Sequence, residues 1–211
     1  MEFGVDEAGK GPVLGSMFVA AVRADPAQLP DGVGDSKGIE ADRRETLDEQ
    51  IRKAATAFEV VEIPVERIDD PDTDMNELTV DGHGEALAAV AEDGLSGYAD
   101  AGDTNAVRFE RRVRSHLDCD VSLRAEHGAD ETYPIVGAAS ILAKVAREHH
   151  VDGLAAEYGP VGSGYPSDPK TREFLESFVR EHDELPACAR KSWQTSRDVL
   201  NARDQSSLSD F

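Results

Sequence analysis

Short apolar runs alternate with amphipathic stretches along this chain, and each change of period marks an element. Met1 to Val5 is a brief apolar lead-in of strand character. Ser16 to Val22 is an apolar run of strand length that pairs with it as a hairpin. Two prolines and two glycines between Asp25 and Gly34 predict a loop, and Ile39 to Ala55 is helical, with charged residues repeatedly four apart. Phe58 to Val65 predicts a third strand ended by Pro64. An acidic loop over Ile68 to Asp74 leads to a helix over Met75 to Ala91, although Gly82 and Gly84 are weak helix formers. Gly94 to Ala101 is a short strand with Tyr98 and Asp100 on one face. Asp103 to His116 is a helix capped by Asp103 or Thr104, and Cys119 to Ala125 is a fifth strand.

Three strands followed by helix–strand alternation is the pattern of an α/β layered domain with a mixed sheet. Tyr133 to Tyr158 is helical, with Ile141, Leu142 and Val145 on an apolar stripe, and the Gly- and Pro-rich run Gly159 to Pro169 ends it. Lys170 to His182 and Arg190 to Ala202 predict two further helices on either side of Pro186. The expected organisation is an α/β unit over 1–150 and a helical extension packed on it over 151–203, forming one wall of a cleft. A polar, mobile tail over 204–211 completes it.

At 211 residues the chain is long enough for one domain with an appendage. It has no long apolar run and no leader pattern, so a soluble, cytoplasmic protein is expected, without membrane contact. Cys119 and Cys188 alone make neither a disulfide framework nor a zinc site. Charge changes the picture more. Asp and Glu number 43 against 22 Lys and Arg, a net charge of −21, and only six of the cations are lysine. Such an excess disfavours phosphate contacts. It also fits a salt-rich cytoplasm, where at about 1 M salt the Debye length is roughly 3 Å and repulsion between acids is screened. Composition leaves both readings open.

Candidate chemistry starts at Asp6-Glu7, followed at once by Ala8-Gly9-Lys10-Gly11-Pro12. Neighbouring strand residues point to opposite faces. The expectation is therefore that the strand stops before Asp6 and the glycines let the backbone turn, so that both carboxylates serve one site. Asp100 and Asp130 stand at other element ends, Asp130 at the start of the long helix. Four converging carboxylates repel unless cations neutralise them, and a pair of divalent ions there suits phosphoryl displacement. With 43 acids in the chain, an ordinary acidic strand end fits as well. Asp35-Ser36-Lys37 is either a loop leading into a helix or a hydroxyl and a cation near a phosphate.

Several motifs in register carry a resemblance. Gly4-Val5-Asp6-Glu7-Ala8-Gly9-Lys10-Gly11-Pro12, Asp35-Ser36-Lys37, Tyr98-Ala99-Asp100, Ala138-Ala139-Ser140-Ile141-Leu142-Ala143-Lys144 and Gly162-Ser163-Gly164-Tyr165-Pro166-Ser167-Asp168-Pro169 resemble ribonuclease HII in its archaeal form. Together with the charge, this points to a halophilic source. The resemblance implies a ribonuclease H-like mixed sheet flanked by helices. It implies a monomeric endonuclease that cuts the RNA strand of RNA–DNA hybrids and incises at ribonucleotides embedded in duplex DNA, using two Mn²⁺ or Mg²⁺ ions. By position it assigns the metal-binding acids to Asp6, Glu7, Asp100 and Asp130. It assigns the ribose-reading turn to Gly9, Lys10 and Gly11, and the aromatic that stacks on the sugar to Tyr165. Ser36, Lys37, Ser140 and Lys144 fall near the substrate backbone.

The sequence departs from the family pattern in two places: the centre of the turn is commonly Arg and here is Lys10, a point charge in place of a planar fork, and the second is Ala129-Asp130-Glu131. Glu131, beside Asp130, is the competing acid if the alignment slips by one. The tail, with Gln205, Leu208 and Phe211, resembles the peptide pattern that binds the replication sliding clamp, less its second aromatic. Two other readings keep parts of this pattern: a non-catalytic hybrid-binding or clamp adaptor protein, and another metal nuclease of the same fold, such as a junction resolvase.

Overall fold

A computed structural model describes residues 1–34 and 38–209, with side chains up to residue 203. Ser36, Lys37 and Phe211 lie outside the described residues, and Gln205 and Leu208 are described in backbone only. Strand β1 (Glu2–Ala8) forms an antiparallel hairpin with β2 (Met17–Ala24), and β3 (Ala57–Ile63) pairs antiparallel on the far side of β2. On its other side β1 pairs in parallel with β4 (Ser96–Asp100), which pairs in parallel with β5 (Ser122–Glu126). The sheet order is β3-β2-β1-β4-β5, the mixed sheet that the strand pattern predicts.

Helices cover both faces. Helix α1 (Ala41–Ala54) and the long α6 (Pro134–Tyr158) bury Leu47, Ile51, Ile135, Ala138 and Leu142 against Ala20 and Val22. On the opposite face α3 (Met75–Val90) and α4 (Ala106–Arg114) bury Leu78, Leu87, Phe109 and Val113 against Phe3, Val5, Val19 and Leu123. Two one-turn helices, α2 (Val65–Ile68) and α5 (Ala129–Thr132), fill connections. The C-terminal α7 (Pro169–His182) and α8 (Gln194–Ser209) enclose a third core, in which Leu175, Val179 and Cys188 meet Val13 and Leu14. Helix α6 runs without a break across residue 150, so the α/β unit and the helical extension share it.

Several local expectations change. Gly82 does not weaken α3. A Cβ there would stand 2.7 Å from Val19 Cγ2, so glycine is what lets the helix lie close on the sheet. Helix α4 is capped by Asn105, whose side chain accepts from the Arg108 amide, not by Asp103 or Thr104. Asp103 instead receives the Arg108 guanidinium. Asp130 does not open the long helix; it lies in α5, and Pro134 starts α6 at a first-turn position where its missing N–H costs nothing. The stretch from Arg190 to Trp193 is a turn closed by Trp193 N–H donating to the Arg190 carbonyl, so α8 begins only at Gln194. It then continues to Ser209, into the stretch expected as tail.

Candidate active site

Strand β1 does not stop before Asp6. Asp6 stands opposite Ala20, Glu7 opposite Val19 and Ala8 opposite Phe18, so β2 gives the backbone a partner through both carboxylates. Alternation therefore holds, and the two acids leave the strand on different faces. Asp6, 5% exposed, lies on the α6 side beside Ser140. Glu7 turns to the α3 side, where its Oε2 is 2.8 Å from Nε2 of the fully buried His83. The two carboxylates still lie near each other at the strand end, because β1 stops one residue beyond them and not because the backbone turns between them.

Asp100 closes β4, the strand next to β1. Its Oδ1 accepts from the Ala129 amide at 3.0 Å, which ties the strand end to the start of α5 and to the buried Asp130. Glu131, one residue on, is exposed. The acids perturb one another. Burial holds the Asp6 carboxyl well above its ordinary range, and the charges of Glu7 and Asp100 push it further; the Ser140 hydroxyl and the Glu7 amide oppose them. Burial also raises Asp100, the Ala129 amide opposes it, and Asp130 and Glu7 add to the rise.

Past the strand end, Gly9 takes φ +91, a conformation that L side chains rarely adopt, and the chain turns away from the sheet. Glu7, Ala8, Gly9, Lys10 and Gly11 then line a cleft of about 390 Å³, with Lys144, Arg147 and Glu148 from α6 and Tyr165 from the loop before α7. Tyr165, 40% exposed, comes so near the turn that a Cβ on Gly11 would be 3.8 Å from its ring. Two backbone bonds fasten that loop, since the amides of Val13 and Leu14 both donate to the Gly164 carbonyl. The Lys10 ammonium crosses to the loop after β4, donating to the Gly102 carbonyl and, at 3.4 Å, to Asn76 Oδ1.

The structure thus brings Glu7, Gly9, Lys10, Gly11, Lys144 and Tyr165 to one cleft. It places Asp6, Asp100, Asp130 and Ser140 at the adjoining sheet edge. Sequence reasoning missed three residues. Arg147 holds its guanidinium 4.8 Å from the Tyr165 ring centre while Nη2 donates to the Ser163 carbonyl at 2.7 Å. His83 meets Glu7, and Arg190 reaches the turn from behind. The only signal for Arg190 is a cation directly after Ala187-Cys188-Ala189; for His83 it is a polar residue within the apolar stripe of α3.

Among the described residues, no three carboxylates, imidazoles or thiols already surround a point where a metal ion fits. The donor set is nonetheless the right one. It is made of carboxylate oxygens, which suit Mg²⁺ or Mn²⁺, and burial and mutual repulsion of Asp6, Glu7 and Asp100 are what a cation relieves.

A mixed sheet in this order, with acids at the adjacent ends of β1 and β4, defines a ribonuclease H-like fold. Residues 3–196 match the Ribonuclease HII family, and the chain belongs to it, as a type 2 ribonuclease H of the endoribonuclease kind. A Ribonuclease HII of Haloarcula marismortui is 68% identical over 211 residues, covering 100% of both chains, and its source agrees with the salt-adapted reading of the charge. The ribonuclease H2 from Pyrococcus horikoshii has a similar structure, with a TM-score of 0.90 and 34% identity over 96% of this chain and 98% of its own. So does the RNase HII in a PCNA:RNase HII complex from Archaeoglobus fulgidus, with a TM-score of 0.85 and 38% identity over 94% and 96% of the two chains. Among the described residues no helix is long and apolar enough to cross a membrane.

Proposed function

We propose that this enzyme hydrolyses the RNA strand of RNA–DNA hybrids and incises duplex DNA at embedded ribonucleotides, leaving a 3′-hydroxyl and a 5′-phosphate. The observation that carries this reading is the shared cleft. Glu7, the glycine turn and Tyr165 line one space, so a sugar stacked on the Tyr165 ring meets the turn and lies next to the acids. The 2′-hydroxyl distinguishes RNA from DNA, and backbone amides reach it without side-chain obstruction. Lys144 and Arg147 supply positive charge for the phosphates in a molecule that is otherwise strongly acidic.

Asp6, Glu7, Asp100 and Asp130 would hold two divalent cations, Mn²⁺ or Mg²⁺. Bound there, such ions supply charge stabilisation to the attacking and leaving oxygens of an in-line displacement. The chain's own part is positional. Asp100 is fixed by the Ala129 amide, Glu7 by His83, and Tyr165 by Arg147 and the Gly164 carbonyl bonds. No residue is needed as a covalent nucleophile. The tail carrying Gln205, Leu208 and Phe211 docks on the sliding clamp in this reading, a proposal supported by the clamp complex of the Archaeoglobus relative.

The test uses a duplex carrying one ribonucleotide, in molar KCl with Mn²⁺ or Mg²⁺. Cutting at the ribonucleotide is expected, with none on the all-DNA duplex. Cutting that survives Asp6→Asn or Asp100→Asn, or equal cutting of all-DNA substrates, overturns the reading.

A further inference from the structure

Arg190 is fully buried, and its side chain is the largest of the wholly enclosed ones. Its partners are unusual for a buried cation. Nη2 donates to the Gly9 carbonyl at 2.6 Å, Nη1 to the Lys10 carbonyl at 2.9 Å and Nε to the Gly15 carbonyl at 2.8 Å. Its own amide donates to the Val13 carbonyl at 2.8 Å. The guanidinium stacks 4.8 Å from the Trp193 ring centre, and Trp193 Nε1 donates to the Gly11 carbonyl at 3.2 Å. Ser196 holds the far side by donating to the Arg190 carbonyl at 2.8 Å. Every carbonyl from Gly9 to Gly11 is therefore gripped from behind by this one pair of side chains.

A buried charge is costly, and apolar packing of similar volume is usually at least as stabilising. Burial, with Arg147 adding to it, pushes the Arg190 group down to about 10, which leaves it charged at neutral pH. A protein with 43 acids has carboxylates to spare, yet this fork is spent on carbonyl oxygens. What carbonyl bonds do, and a carboxylate pair does not, is fix peptide planes. A peptide is planar, so fixing the carbonyl of one residue fixes the N–H of the next. Holding the Gly9 and Lys10 carbonyls aims the amides of Lys10 and Gly11, and neither amide has an acceptor among the described residues. Only a rigid fork with several donors reaches three carbonyls at once, which a lysine ammonium does not do in that geometry.

Resting on the proposed ribose-reading role of the turn, we infer that Arg190, seconded by Trp193, is a positioning residue that preorganises the Gly9–Lys10–Gly11 turn and thereby sets the discrimination between ribose and deoxyribose. Arg190 does not touch the substrate in this scheme. It acts through the peptide planes of the turn, so its loss leaves the cleft in place with a mobile reader.

The test compares binding of an all-DNA duplex with the same duplex carrying one ribonucleotide, by fluorescence anisotropy in molar KCl with Ca²⁺ in place of Mn²⁺ or Mg²⁺. The proteins are wild type, Arg190→Lys and Trp193→Phe, each checked for cooperative melting. Wild type is expected to prefer the ribonucleotide duplex. Arg190→Lys is expected to lose about tenfold or more of that preference, as for loss of charge-assisted hydrogen bonds, while affinity for all-DNA duplex changes little. Trp193→Phe, which removes only the Gly11 bond, is expected to lose a smaller part of it. A merely structural role weakens both duplexes together and leaves the ratio intact, and that result overturns the inference. If Arg190→Lys does not melt cooperatively, Trp193→Phe decides: an unchanged ratio overturns the inference, a reduced one supports it. Absence of any preference in wild type is a separate outcome, which removes the ribose-reading turn itself and the inference with it.

Discussion

Gly9→Ala isolates the backbone requirement of the turn. At φ +91 an alanine carries strain of about 1–3 kcal/mol. Its Cβ would also stand 2.9 Å from Arg147 Cδ and 3.0 Å from the Ser16 carbonyl oxygen. Neither neighbour yields easily. Ser16 is held by its amide on His150 and its hydroxyl on Glu62, and Arg147 is held by Ser163 and the Tyr165 ring. Crowding of this kind adds about 1–3 kcal/mol, for a combined loss of roughly 2–6 kcal/mol. In a chain of this size, where 1 kcal/mol is worth about 2–4 °C, that lowers the melting temperature by roughly 4–24 °C. Gly11→Ala is the control. Its backbone is not in the left-handed region, and the added Cβ meets only Tyr165 Cε1 at 3.8 Å, an ordinary contact. Its stability should change by less than about 0.5 kcal/mol, while cleavage falls because a methyl group enters the space between turn and tyrosine. The assay is thermal melting at fixed KCl beside single-turnover cleavage of a duplex with one ribonucleotide. Equal melting temperatures for the two variants would refute the strain argument, and unimpaired cleavage by Gly11→Ala would refute the shared cleft.

Three further outcomes test other parts of the site. His83→Phe keeps an aromatic against Phe109 but leaves Glu7 without its partner, so the protein should stay folded and bind Mn²⁺ roughly 10–100-fold more weakly, as titrated calorimetrically; unchanged Mn²⁺ affinity removes His83 from the site. Asp6→Asn replaces a carboxyl whose folded-state pKa is raised, so in the wild type stability without divalent cation falls as pH climbs from the ordinary carboxylate range through the folded value. Cation-free Asp6→Asn should therefore melt above wild type at neutral pH, with a gap that shrinks as pH is lowered, and should fail to cut once Mn²⁺ or Mg²⁺ is supplied; a variant that melts lower contradicts the assigned burial and repulsion. Deleting residues 205–211 should leave cleavage of a short duplex unchanged and abolish binding to the sliding clamp, measured by surface plasmon resonance; retained binding places the clamp contact elsewhere.

The motif residues were legible because their signal is local. Asp6-Glu7 beside a glycine turn, Asp100 at a strand end and Tyr165 in a Gly- and Pro-rich loop all lie in stretches whose composition announces a turn or an element end. Strand order was partly legible for a similar reason: three successive strands followed by helix–strand units leave few ways to build one sheet. Boundaries were less so. Whether β1 ends at Val5 or Ala8 depends on whether β2 continues to pair with it, which no property of residues 1–8 reveals. Gly82 tells the same story in a helix, where intrinsic propensity argued against an element that close packing on Val19 requires.

Read from the chain alone, the class of sheet is set and the acids and the turn stand out as candidates, since periodicity and short motifs act within a dozen residues. Tertiary structure decided which side chains hold those groups. His83 lies 76 residues from Glu7, and Arg190 lies 181 residues from Gly9. A buried arginine after three small apolar residues has no pattern of its own, and neither has a histidine in an apolar helix stripe. Each acquires its part only when the folded chain delivers a partner: a carboxylate for His83, and a row of backbone carbonyls, identical in every sequence, for Arg190. Their positions depend on the course of the whole chain, which local composition does not encode.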